Sequence, residues 1–567
     1  MALARRPHLR RWLEAGGYHD PADLDRLARA IEPGRSWVGE VLAAGLDNEA
    51  AFFEEIARDL HWPFADLDNA SVDREALGAL PSRLVFLHLM LPLGRENGSL
   101  QVATCDPFNS VGQQLVRDAA GGPVQWIVAP HSQLVRRIKA LYGVGAETFD
   151  EILENRAVSD ALDDQFEATD LDDEATDASV VKFVNQIIRE AIRERATDIH
   201  VEPQEKSLRI RYRIDGMLSE AAVPPKLRLL QSAIITRLKI MAKMDIAEHR
   251  LPQDGRINLQ SAEGNWDVRV STVPSVNGES ISLRLLNQNE EQRYALGRLE
   301  LDGAHEDAIR ELLAQPNGIV LVTGPTGSGK STSLYSFLSE INAVERRIIT
   351  VEEPVEYRLP GVTQIEVKPE INLTFANVLR SILRQDPNII MVGEVRDVET
   401  AEIAIRAAMT GHLVFSTLHT NDAVSGITRL IDMGVEPFLL ASVVRAILAQ
   451  RLVRRVCPHC AELRPYPEDE LRKINFPLEQ YGSQFYVGQG CDHCRGSGYL
   501  GRCAIYEVCQ IDDRLHQLIV GKSSASELRQ TALTHGMRTL RQDGWRRVAS
   551  SQCTIEEVLR VTAMDAA

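Results

Sequence analysis

A chain of 567 residues with a net charge of −17, 44% hydrophobic and 25% charged residues, has the composition of a soluble globular protein and the length of roughly three to five domains. The acidic balance argues against a nucleic-acid footprint, no apolar run approaches a membrane helix, and eight cysteines are too few at this length for a disulfide framework. The start, "MALARRPHLRRWLEAGG", has arginines with no apolar core behind them, so it does not read as a secretory signal and a cytoplasmic protein is expected.

The first region, 1–145, contains a repeat. Residues 13–29 resemble residues 42–58 at an offset of 29, with Leu13/Leu42, Ala15/Ala44, Gly16/Gly45, Ala28/Ala57 and Arg29/Arg58 identical and Leu24/Phe53 and Leu27/Ile56 apolar in both. Each unit predicts a short helix, a glycine stop and a second amphipathic helix. "LHLMLPLGRENGSLQVATCDP" predicts two strands with "ENGS" as their turn, and "HSQLVRRIKALYG" a closing helix. Nothing in this region has the chemistry of catalysis, so it reads as a docking or sensing module. Residues 146–178 form an acidic linker. Within it, 147–177 hold thirteen acids and one base, a charge of −12 that leaves −5 for the rest of the chain.

Residues 179–292 predict a second α+β domain. "SVVKFVNQIIREAIRERATDIHVE" reads as a helix. "SLRIRYRIDGML", turning at Asp215-Gly216, then "RLPQDGRINLQ" and "WDVRVSTVPSVNGESISLRLL" read as strands. Arg209, Arg211, Arg213, Arg256, Arg269 and Arg284 are rows of strand residues, and for any one of them a solvated face is the plain explanation.

The core, 293–455, opens with "GIVLVTGPTGSGKSTSLYSFL". An apolar strand feeds Gly324, and GxxxxGK[ST] is met by Gly324, Gly329, Lys330 and Ser331, with Pro325, Thr326, Gly327, Ser328 and Thr332 completing the loop. Glycines let backbone N–H groups curl around phosphates, Lys330 neutralises β/γ oxygens, Ser331 ligates Mg²⁺, and the following helix adds its dipole. Three further apolar strands run into polar residues: Glu352, Glu353 and Glu356; Glu394; and Ser416, Thr417 and His419. In an open parallel sheet the ligand lies beyond the carboxyl ends of the strands, so these groups are expected to converge on ATP. A helix cap or salt bridge is the alternative for any one carboxylate. Lys330 is the one evident cation of this phosphate site.

In 456–502, "CPHC" (Cys457, Cys460) and "CDHC" (Cys491, Cys494) are separated by thirty residues. Two such knuckles present four thiolates tetrahedrally to Zn²⁺ and leave no open position for a substrate, which makes the site structural. An iron–sulfur cluster fits the same spacing. Residues 503–567 read as a helical region.

"GPTGSGKST", "TVEEPVEY" and "LRSILRQDPNIIMVGEVRDVETAEIAIRAAMTGHLVFSTLHTNDA" together resemble the type II/IV secretion ATPase superfamily, the motors of type II secretion and of pilus assembly and retraction. The likeness extends over roughly residues 60–567, through "TDIHVEPQEKSLRIRYRIDG" and "QDGRINL" to "GYLGRCAIYEV". Retraction motors lack the four cysteines. The block from Asp432 to Cys460 is most similar to type II secretion ATPases, with pilus-assembly ATPases second.

The resemblance implies a RecA-like P-loop core preceded by a PAS-like α+β domain and an N-terminal α+β docking domain. It also implies a hexamer that hydrolyses ATP to drive pseudopilus assembly, peripheral to the inner membrane. Its implied partners are the cytoplasmic domain of the L-type protein and the F-type platform protein. It makes Glu356 the acid that activates water, places Glu394 near Mg²⁺ through a coordinated water, and assigns His419 to sensing the γ-phosphate. A satisfied core histidine is the alternative for His419 and His412 alike. Arg269 and Arg284 match the positions from which the family delivers arginine fingers. Two departures stand out. Glu352-Glu353-Pro354 replaces the usual Glu-Asp-Pro. In the repeat, Trp37 and Arg58 stand where cyclic di-GMP-binding modules carry arginine and glutamine, so binding of that dinucleotide is not expected.

Overall fold

The computed structural model describes residues 7–18, 38, 41–42, 45–73, 76–143, 174–224, 227–261, 264–288 and 294–562. It divides into two compact units, Met1–Leu286 and Asn287–Ala567. Leu24, Leu27, Ala28, Arg29, Trp37 and Ala44 of the repeat, and the acidic linker up to residue 173, lie outside the described residues.

In the first unit, helices Pro7–Ala15 and Glu49–Leu60 pack together by burying Leu9, Trp12 and Leu13 against Phe52, Phe53 and Ile56. This is the apolar spacing of amphipathic helices, and Asn48 caps the second by accepting the N–H of Ala51. Strands β1 (Met90–Glu96) and β2 (Ser99–Thr104) form the expected hairpin through Asn97-Gly98, both at positive φ, the combination a two-residue hairpin turn requires. β3 (Val124–Val128) adds in parallel to β2, and helix His131–Tyr142 follows.

Helix Glu174–Arg193 stops earlier than the sequence reading has it. Arg195 turns left-handed, and "ATDIHVEP" becomes β4 (Ala196–Pro203). Its alternating burial, with Ile199 and Val201 facing the core, outweighs the helical propensity of the preceding residues. β5 (Leu208–Ile214), β6 (Met217–Glu220), β7 (Gln253–Ser261), β8 (Gly264–Ser275) and β9 (Gly278–Asn287) complete a sheet in the order β6-β5-β4-β9-β8-β7. One face packs on helices Glu174–Arg193 and Gln231–Met241. The arginines between the core positions meet acids rather than water alone: Arg209 and Arg211 on Glu202, Arg213 and Arg284 on Asp198.

The second unit is built on β10 (Gly318–Thr323), β11 (Ile348–Glu352), β12 (Thr363–Glu366), β13 (Ile389–Val392), β14 (Leu413–Leu418), β15 (Val444–Val456) and, after a small antiparallel sheet of β16 (Ala461–Pro465) and β17 (Gln484–Gly488), β18 (Tyr499–Gln510). The order is β12-β11-β13-β14-β10-β15-β18, parallel except for β18. β10, β11, β13 and β14 are buried throughout because helices cover both faces. Val320, Val322, Ile389 and Met391 pack under helices Gly303–Leu313 and Lys330–Ile341. Ile319, Leu321, Ile390 and Val392 pack under Phe375–Ile382 and Val398–Met409.

Where the sequence reading begins a helical region at residue 503, the chain first completes β18, with Ile505, Tyr506 and Cys509 in the core. Helices from Asp513 to Val561 follow. Where helix Leu540–Ala549 meets helix Gly303–Leu313, buried His305 and Asp543 lie with Asp302, and Arg546 pairs with both acids. Burial pushes the His305 ring down to about 4, against Asp543, which raises it.

Candidate active site

β10 delivers the chain to the loop at Gly324, and helix Lys330–Ile341 leaves it. Gly324 and Gly329 hold φ of 150° and 92°. A Cβ on the first would lie 2.6 Å from the Gln450 carbonyl, and on the second 2.7 Å from Gln450 Nε2, so neither position accepts a side chain. Lys330 is buried, and its Nζ donates to the carbonyls of Gly324 (2.7 Å) and Pro325 (3.1 Å). Burial pushes its ammonium down to about 8, opposed by the Glu394 carboxylate and aided by Arg451. Pro325, Thr326, Gly327, Ser331 and Thr332 are exposed at the rim, whereas Ser328 Oγ is buried with no hydrogen-bond partner. An orphaned hydroxyl in a glycine-turned loop at a helix N-terminus suits a phosphate oxygen, so the residues fit ATP.

The strand ends do not all converge. Glu352 turns inward, where its carboxylate accepts from Thr350 Oγ1 (2.5 Å), Gln364 Nε2 (3.1 Å) and the Tyr335 hydroxyl. Ser416 and Thr417 donate to the carbonyls of Val392 and Gly393 and fix the end of β13. His412 sits at the amino end of β14, its Nδ1 2.8 Å from the Ala407 carbonyl, and is a satisfied structural histidine. Glu353, Glu394 and His419 do come together. Arg396 bridges Glu353 Oε2 (2.8 Å) and Glu394 Oε1 (2.5 Å), and His419 Nε2 lies 3.1 Å from Glu394 Oε2. Burial raises the Glu394 carboxyl, but Arg396 and His419 outweigh it and hold the group below the usual range. Glu356, half-buried, has its backbone N–H on the Tyr335 hydroxyl.

Lys330 is not the one cation here. Arg451 of β15 is 8% exposed, donates to the carbonyls of Gln450 (3.0 Å) and Asn421 (2.6 Å), and has a guanidinium nitrogen 3.1 Å from where a Gly324 Cβ would stand. Gln450 accepts from Ser333 of the loop helix at 2.8 Å. "AQRLVRR" gives no local sign of this role. It follows from the pairing of β15 with β10, Ala449 opposite Thr323. Arg269 and Arg284 lie on β8 and β9 of the first unit, Arg284 3.1 Å from Asp198.

The pairing of β15 with β18, Val456 opposite Tyr499, brings the two cysteine pairs together. Sulfur separations are 3.8 Å for Cys457–Cys491 and 3.7 Å for Cys460–Cys494 and Cys491–Cys494, and all four lie within 4.8 Å. Ligands at a Zn–S distance of about 2.3 Å in a tetrahedron stand about 3.8 Å apart, whereas a disulfide needs about 2.05 Å. Backbone N–H groups of Gly490 and Gly498 donate to Cys460 and Cys494. The residues fit Zn²⁺. Cys105, Cys503, Cys509 and Cys553 are buried thiols.

Over 532 residues, 93% of each chain, the protein is 41% identical to the type IV pilus assembly ATPase PilB of Myxococcus xanthus (strain DK1622). Over 474 residues, 83% of each chain, it is 45% identical to the type II secretion system protein E of Xanthomonas campestris pv. campestris. The X-ray structure of the Legionella pneumophila ATPase DotB matches 68% of this chain and 96% of its own with a TM-score of 0.50 at 21% identity, a likeness of fold. Residues 60–148 match the MshEN domain. Residues 173–560 match the family described as Type II/IV secretion system protein, and with the phosphate loop and its facing acids in place the chain belongs to that family and is an ATP-hydrolysing enzyme.

Proposed function

We propose that the enzyme works as a hexamer at the cytoplasmic face of the inner membrane and drives pseudopilus assembly and protein export in type II secretion. Its membrane attachment would run through the cytoplasmic domain of an L-type protein and the F-type platform protein. The observation that carries the hydrolysis is the cluster of Lys330, Glu394, Arg396 and His419 at the ends of β10, β13 and β14. The 45% identity to a type II secretion E protein supports the role. No helix among the described residues is long and apolar enough to cross a membrane.

In this reading the loop 324–332 takes the phosphates, and Lys330 exchanges the carbonyls of Gly324 and Pro325 for β/γ oxygens. Ser331 and Glu394 would hold Mg²⁺, the carboxylate through a water, and the ion would offset phosphate charge. Glu356 accepts the proton of the attacking water, and His419, already on Glu394, registers the γ-phosphate. Arg269 and Arg284 supply the late cations. The N-terminal domain docks on the L-type protein. Arg58, ion-paired with Glu54 and Glu55 of its own helix, supports leaving cyclic di-GMP out.

Pilus assembly is the second reading, favoured by the pilus relative's coverage of 93% of this chain, amino-terminal region included. The deciding experiment measures binding of the purified chain to the cytoplasmic domains of the secretion L-type protein and of its pilus-system counterpart. Saturable binding to the first supports secretion. Binding to the second alone overturns it in favour of pilus assembly.

A further inference from the structure

β11 and β13 are parallel neighbours with Val351 opposite Val392. The same register, carried two residues beyond that pair, sets Glu353 beside Glu394. Alternation sends Glu352 inward, to Thr350 and Gln364, and leaves Glu353 on the side of Glu394. Two carboxylates emerging side by side repel. Arg396 lies between them, one guanidinium nitrogen on each. The far oxygen of Glu394 takes His419, so each oxygen of that carboxylate has one nitrogen partner and keeps a second lone-pair direction for water.

We propose that Glu353 is a positioning residue that acts through Arg396 on Glu394: it orients the guanidinium so that its other arm sets the Glu394 carboxylate for the hydrated Mg²⁺ of bound nucleotide. This rests on the reading that Glu394 serves that ion. The bridge is not there for folding. The side chains of Arg396 and Glu353 are 59% and 30% exposed, and ion pairs so exposed contribute little to stability. Its value is orientation, because a planar two-armed donor fixes the plane of a carboxylate as a point charge cannot. Length matters as well. Shortening Glu353 by one methylene withdraws its oxygens by about 1.5 Å, more than the 2.8 Å contact with Arg396 tolerates.

The experiment compares affinity for a fluorescent ADP analogue in saturating Mg²⁺ and in EDTA, for wild type, Glu353→Gln, Glu353→Asp, Arg396→Ala, Glu353→Gln/Arg396→Ala and Glu394→Gln. The ratio of the two affinities is the gain due to the ion. Glu353→Gln and Glu353→Asp are expected to cut that gain roughly tenfold, the scale of losing a partner that orients a metal ligand, with affinity in EDTA unchanged. The double variant is expected to lose no more than Arg396→Ala alone, because both changes break one chain of contacts. Arg396→Lys, which keeps the charge without the two arms, should resemble Arg396→Ala and serves if the alanine variant folds poorly. A wild-type gain in Glu353→Gln, or losses that multiply in the double variant, overturns the proposal. If Glu394→Gln still loses the gain, the failure is confined to Glu353. If Glu394→Gln keeps it, the reading of Glu394 falls too.

Discussion

The Tyr335 hydroxyl donates to the buried Glu352 carboxylate and accepts the backbone N–H of Glu356 at 3.3 Å. Tyr335 belongs to the helix that starts at Lys330, so one phenol ties the phosphate loop's helix to the segment carrying the proposed base. Tyr335→Phe leaves Glu352 one donor short, at a cost of roughly 1–3 kcal/mol, and loosens Glu356. The expected result is a lower melting temperature and a kcat reduced roughly tenfold or more, with nucleotide affinity kept. A normal kcat in the destabilised variant would show that Glu356 needs no such tether.

Glu356→Gln removes a proton acceptor and no phosphate contact. It should retain nucleotide binding and lose roughly 10²–10⁴ in kcat. Lys330→Ala should weaken binding itself, since the buried ammonium is part of the loop. Phosphate-release kinetics beside equilibrium binding separate the two, and near-wild-type turnover in Glu356→Gln moves the base elsewhere.

Purified protein should carry about one zinc per chain. Cys460→Ser leaves three ligands, and because a structural ion contributes folding energy the segment from Cys457 to Cys494 should lose its fold and the metal. Elemental analysis reads this directly. Iron in place of zinc, or full zinc content in the variant, contradicts the assignment.

Arg269→Ala tests the arginine fingers. A late-arriving cation is worth roughly 10³–10⁵ in related phosphoryl transfer, so wild-type activity per subunit should rise steeply with concentration as oligomers form. The variant should stay low at all concentrations with similar ATP affinity. A flat wild-type dilution series that matches the variant returns Arg269 to an ordinary strand residue.

His305 gives stability a pH dependence. Its folded-state value of about 4 lies below the ordinary 6.5, so between those values the unfolded chain binds a proton that the native one refuses, and stability falls as pH drops from 6.5 to 4. The loss amounts to roughly 3 kcal/mol at most. His305→Gln should flatten that slope in urea midpoints taken across the window. Parallel slopes would mean that the ring is protonated in the native protein.

The phosphate loop was legible because its chemistry is local: an apolar strand, glycines at fixed offsets, Lys330 and a helix. The four cysteines were legible for the same reason. The seating of the loop was not. Gln450 and Arg451 stand more than a hundred residues away in a run that reads as an ordinary strand, and only the order β14-β10-β15 puts them under Gly324. The acids were legible as a set and misjudged singly, since which of Glu352 and Glu353 faces the site depends on which carbonyl, phenol or guanidinium waits on each side of β11. β18 was hidden because an antiparallel strand closing a parallel sheet carries the same apolar signature as a buried helix segment.

β15 passes Gln450 and Arg451 on its way to Cys457. Paired to β10 as far as Ala449 and to β18 from Ala446 to Val456, it is a strut braced by β18 over the stretch that leads to the cysteines. Five residues of extended chain, a span of about 20 Å, separate Arg451 under the phosphate loop from Cys457, the first cysteine of the knuckle. A load taken up at the cysteine end would therefore fall on the same strand that carries Arg451 to the phosphate loop.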